Sequence, residues 1–79
     1  MSMNKAKIKI AGLYDITRFV EAASKVGGSG VIVTNGKTTV DGSSLVAMLS
    51  LDTSNGLEVE FPHSAIDFNK FIQEFVVYA

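Results

Sequence analysis

The residues best placed for chemistry lie in GLYDITRFVEAASKVGG, Gly12 to Gly28. The segment reads as the end of a strand, a tight turn and the start of a helix. A helix start leaves backbone N–H groups unpaired at the positive end of its dipole, which suits a phosphate. Tyr14, Asp15 and Arg18 stand there. Tyr14 and Asp15 are both capable phosphate acceptors, but neither has a base or a metal motif beside it. Asp15 reads as the N-cap of the helix, and its carboxylate competes with any anion for the same N–H groups. His63 is the only histidine. It precedes a helix near the other end of the chain, with no residue to orient or activate it, and reads as a solvated loop residue. No paired carboxylates, nucleophile–base set or metal-ligand cluster is visible, so neither an independent enzyme, a metal nor another cofactor is expected.

Periodicity gives the elements that must carry these residues. KAKIKIA, Lys5 to Ala11, alternates Lys5, Lys7 and Lys9 against Ala6, Ile8 and Ile10, which predicts a half-buried strand. Ile16, Phe19, Val20 and Ala23 form one helical face, and GGSG, Gly27 to Gly30, ends that helix. In VIVTNGKTTV, Val31 to Val40, two β-branched runs flank Asn35–Gly36, which predicts a hairpin with a type I′ turn. SSLVAMLSL, Ser43 to Leu51, reads as a short helix capped by Ser43 or Ser44. DTSNG, Asp52 to Gly56, is a loop, and LEVEF, Leu57 to Phe61, alternates as a fourth strand. Ser64 to Asp67 resembles a capping signature for a last helix running to about Val77, with Phe68, Phe71, Ile72 and Phe75 buried.

The order is β-α-β-β-α-β-α over one domain, residues 1–79. Lys5, Lys7 and Lys9 share the open face with Glu58 and Glu60 if strands one and four pair antiparallel; each cross-strand pair then adds roughly 0.2–1 kcal/mol. Three helices on the other face complete an α+β two-layer sandwich with a four-stranded antiparallel sheet.

The totals narrow the function classes. Of 79 residues, 47% are hydrophobic and 19% charged, with a net charge of −1. That supports a core and argues against nucleic acid, which calls for a basic surplus. The absence of cysteine excludes disulfides and thiol catalysis. No apolar run approaches the roughly 20 residues of a membrane span. The first ten residues lack a signal peptide's apolar centre, so the expectation is a cytoplasmic domain.

With NGKTTVDGSSLVAMLSLDTSNGLEVEF, Asn35 to Phe61, this element order resembles HPr, the small phosphocarrier of the bacterial phosphoenolpyruvate-dependent sugar phosphotransferase system. Asn35–Gly36–Lys37, Ser44–Leu45, Met48 to Leu51 and Gly56 fall in step with that family, and Phe19 to Ser24 matches its first helix. Asp52 replaces the usual first loop glycine. The resemblance covers nearly the whole chain.

The departure lies in the phosphate loop. The family carries G-L-H-x-R-P there, its histidine accepting phosphate and its arginine helping to hold it. Alignment from Gly12–Leu13 puts Tyr14 in the histidine's place; alignment back from Phe19 puts Gly12 there. No register places Arg18 directly on the family arginine, and the proline is missing. Gly12, Tyr14, Asp15 and Arg18 are thus degenerate phosphate-site positions, and transfer through a histidine here is not expected. Ser44 matches the serine that an ATP-dependent kinase phosphorylates in Gram-positive members; the plain alternative is an N-cap serine. Apolar surface on the short helix is where the family docks partners. Val46, Met48 and Leu51 are the expected contacts, against the alternative that a small domain buries them.

The resemblance therefore implies a regulatory, protein-binding module, phosphorylatable at Ser44, similar to the catabolite-repression variant of HPr. Its expected partners are an HPr kinase, a phosphotransferase component or a transcription regulator. The alternative is an interaction domain on the HPr fold with no phosphate role.

Overall fold

Alternation in the first strand matches alternation in the fourth, and the two pair. In the computed structural model, which describes residues 3–27, 30–53 and 55–77, β1 (Met3–Ile8) runs antiparallel to β4 (Leu57–Pro62). Lys5 faces Glu60 and Lys7 faces Glu58 across this ladder. The expected charge pairing is present, though diagonally: Lys5 Nζ lies 3.8 Å from Glu58 Oε1. β1 stops at Ile8, earlier than its alternation suggests, because β4 begins at Leu57 opposite it. The Lys9 N–H turns instead to the Phe75 carbonyl at 2.9 Å.

β2 (Ile32–Asn35) and β3 (Thr38–Asp41) form the hairpin, and the sheet order is β1-β4-β2-β3. The type I′ expectation is corrected. Of the turn residues only Gly36 has a positive φ, +72°, and the Lys37 N–H donates to the Asn35 carbonyl at 2.8 Å. Asn35 stays in the strand, paired with Thr38, so the turn tightens around glycine alone.

α1 (Gly12–Ser24) buries Ile16, Phe19 and Ala23. Its N-cap is Ala11, not Asp15, because Gly12 at φ +79° turns the chain into the helix four residues early. Gly27 follows the helix as expected; Gly28 and Ser29 of that turn lie outside the described residues. α2 (Leu45–Ser50) settles its cap on Ser44, whose hydroxyl accepts the Ala47 N–H at 3.4 Å.

α3 (Ile66–Ile72) is shorter than expected at both ends. Ala65 is its N-cap and no side chain caps it, so the Ser64 signature is not used. Its end comes at Ile72 because the following residues find a better partner than another turn. Val76 bridges Ile8, and the Val77 N–H donates to the Lys7 carbonyl at 2.9 Å. The outer edge of β1 has its own ladder groups to satisfy, and β-branched Val76 suits the extended chain.

The helices cover the sheet face presenting Ile8, Val33, Leu57, Val59 and Phe61, all essentially buried. Phe68 stands edge-on to Phe19 and Phe61, with ring centroids 5.6 and 5.2 Å away. Phe71 is only half-buried, whereas Phe68, Ile72 and Phe75 are core. No polar side chain is buried among the described residues.

Candidate functional site

The loop after β1 and the first turns of α1 bring Tyr14, Asp15 and Arg18 to one surface. Asp15 sits inside the first turn, and its Oδ2 accepts the Ala11 N–H at 3.3 Å. One of the N–H groups at the loop is thus already bonded to an internal carboxylate. Tyr14 is 75% exposed.

Arg18 is committed elsewhere. Its Nη2 lies 2.6 Å from Glu74 Oε1 and its Nη1 3.5 Å from Glu74 Oε2, a two-point fork. The guanidinium carbon lies 5.6 Å from the Tyr14 ring centre, 5.4 Å from Phe71 and 5.7 Å from Phe75. These aromatic rings add cation–π attraction. The hydrogen bond that Arg18 donates to Glu74 holds the Arg18 pKa above its ordinary value, as do the nearby negative charges of Glu74 and Asp15. The charge at this loop is therefore internally neutralised rather than offered to a ligand. Sequence reading missed Glu74, Phe71 and Phe75 as partners, because no local spacing links them to Arg18.

His63 is exposed and stands at the opposite end of the sheet. Pro62, before it, pairs with Met3, whereas α1 follows from Ile8 at the other end of β1. Five strand steps separate those ends by roughly 16 Å. His63 and the loop before α1 are not brought together.

Ser44 and Ser43 divide two tasks. The Ser44 hydroxyl caps α2, while the Ser43 hydroxyl and N–H both donate to Asp41 Oδ1, at 2.7 and 2.9 Å. Those bonds hold the Asp41 carboxyl below its usual range.

The expected docking residues are only partly on the surface. Val46 is 80% exposed, but Met48 is 0% and Leu51 8% exposed. Met48 and Leu51 are core residues: both join the buried cluster that includes Phe19. Leu45 and Leu49, one turn apart, are the exposed apolar neighbours of Val46 instead. Among the described residues no cluster of acidic and histidine side chains could hold a metal. No helix among them is long and apolar enough to cross a membrane.

A family model for the phosphorylation site of the PTS HPr component matches residues 15–77, most of the chain. The chain belongs to the HPr family. No curated protein and no solved structure matches it significantly. The HPr assignment agrees with the open-faced sheet and three helices, and relates the chain to the phosphocarriers of the sugar phosphotransferase system. The matched span opens at Asp15, inside α1. Residues 9–18 of this HPr chain contain no histidine.

Proposed function

We propose that this HPr-family protein is a regulatory, protein-binding module that carries no histidine phosphate. The observation behind this reading is the state of the phosphate loop: no histidine, with Arg18 forked onto Glu74 and Asp15 bonded to the Ala11 N–H. A histidine phosphocarrier needs a histidine and an uncommitted arginine there, and this loop offers neither.

In this reading Ser44 is the phosphorylated residue. Its hydroxyl already accepts the Ala47 N–H, so phosphate oxygens added there keep an acceptor in the same place. Docking uses Val46 with Leu45 and Leu49, the exposed apolar residues of α2. Partners are an HPr kinase, a phosphotransferase component or a transcription regulator in the cytoplasm, without nucleic acid, membrane or cofactor. A second reading keeps the docking surface and drops phosphate altogether. It is favoured by Ser44 being half-buried and already used as a cap.

The test is intact-mass analysis after incubation with ATP and an HPr kinase, and separately with phosphoenolpyruvate and enzyme I. A single phosphate from ATP, lost in Ser44→Ala, is the expected result. Phosphate from phosphoenolpyruvate overturns the proposal and points to His63. No phosphate from either donor selects the second reading.

A further inference from the structure

The face of the sheet opposite the helices carries a polar concavity that the HPr reading does not use. It has a volume of about 780 Å³, within the roughly 300–1,000 Å³ of small-molecule sites. Its floor belongs to a row of residues directly opposite one another across the sheet, Lys7, Glu58 and Thr34, which Thr39 continues beyond the concavity. Lys7, Glu58 and Thr34 line the concavity from this row. One wall is the β2–β3 turn with Lys37 and Thr38, and the other is the α2–β4 loop with Asn55. The walls are tied together, because Asn35 Nδ2 donates to the Asp52 carbonyl at 3.1 Å.

The charges in this corner are unequally committed. Glu58 leans to Lys5, 3.8 Å away, although Lys7 is its direct cross-strand neighbour. Among the described residues neither the Lys7 nor the Lys37 ammonium has an acidic partner. The Lys7 stem runs beside the α2–β4 loop, its Cε 3.6 Å from where a Cβ on Gly56 would stand. Thr34, Thr38 and Asn55 line the same concavity, with Asp52 and Glu58 as its acidic residues, and their hydroxyls and amide suit ligand hydroxyls. Among the described residues no aromatic ring lines the site, so they offer a stacked base no platform.

We infer that this corner binds a small polyhydroxylated anion, its acid group on Lys7 and Lys37 and its hydroxyls on the threonine and asparagine side chains. A phosphorylated sugar and a sugar acid share that chemistry. The full chain, labelled with ¹⁵N, is titrated with glucose 6-phosphate and with gluconate; glucose and inorganic phosphate are the controls. Saturable amide shifts at Lys7, Gly36, Lys37 and Asn55 with one acid are expected, and which acid is tighter identifies the group. In Lys7→Gln/Lys37→Gln the apparent affinity falls at least fivefold. Both lysines are exposed, and unchanged Val59 and Phe68 amide shifts verify the fold. The single Lys37→Gln serves alone if the double variant unfolds. No saturable shift with either acid, equal affinity in the variant, or equal binding of glucose overturns the inference.

Discussion

The Arg18 guanidinium and the Glu74 carboxylate, 56 residues apart in sequence, meet at 2.6 Å. Their contact joins the first helix to the segment that follows the last one. It also limits what the loop before α1 can do, because a guanidinium with a carboxylate forked onto it and rings around it does not reach for an external anion. An exposed lysine–glutamate pair is worth little, but a planar fork resting on aromatic rings loses more when broken.

Replacing Arg18 with Lys is therefore not conservative. Arg18→Lys lowers the thermal midpoint, because an ammonium makes neither the fork nor the ring contacts. Glu74→Gln lowers it less and shifts the Tyr14 ring resonances as the guanidinium loses its anchor. Calorimetry and proton NMR check both; an Arg18→Lys melt identical to wild type would contradict the assigned geometry.

Asp41 supplies a pH signature. Its folded pKa is depressed from 3.8 by the two Ser43 bonds, so the stability it contributes is present above that value and is lost as pH falls through the lower, folded value. Ser43→Ala removes the hydroxyl bond. The wild-type advantage over Ser43→Ala is then greatest near neutrality and shrinks in strong acid. Urea melts at several pH values check this, and a constant advantage down to strong acid would speak against it.

Gly42 is required by packing. A Cβ there would sit 2.7 Å from Val31 Cγ1 and 3.2 Å from Phe19 Cε1. Gly42→Ala destabilises by about 1–3 kcal/mol, the usual range for overpacking a core. Chemical denaturation reads this directly; no change in midpoint would show that Phe19 has room to yield.

Met48 and Val46 are two residues apart on α2, yet they respond oppositely. Met48→Ala opens a core cavity and costs about 2–5 kcal/mol. Val46→Ser stays within about 0.5 kcal/mol, since Val46 is 80% exposed. If α2 is the docking helix, Val46→Ser nonetheless weakens partner binding. Denaturation and a pull-down with wild-type and variant protein separate the two effects.

Phe68 connects Phe19 on α1 with Phe61 on β4 through two edge-on contacts. Phe68→Ala costs about 3–5 kcal/mol, a large share of what a domain this small has. Loss of dispersed amide signals at ambient temperature is expected; a folded spectrum with an unshifted melt would rule it out.

Features that depend on neighbours along the chain were legible before folding was considered. Strict alternation at Lys5 to Ile10 and Leu57 to Phe61 settled two strands and their faces, and the shared open face of lysines and glutamates pointed to their pairing. Helical spacing of Ile16, Phe19 and Ala23 settled the buried side of α1, and a cap at Ser43 or Ser44 was legible because capping is local, with the fold choosing Ser44. The missing histidine was legible from residue identity alone.

Tertiary structure decided the rest. Asp15 was displaced from the cap because Gly12 turned the chain first, which is a matter of backbone conformation. α3 ended early because the edge of β1, sixty-odd residues away in sequence, had N–H and C=O groups to satisfy. Met48 and Leu51 went inside and Leu45 and Leu49 stayed out, because six residues of helix offer more apolar surface than one face can bury, and only the seat against α1 and β3 chooses which. Arg18 found Glu74 for the same reason: ion pairs between distant elements leave no period in the sequence, since they arise only after the core has set the distance between the helices.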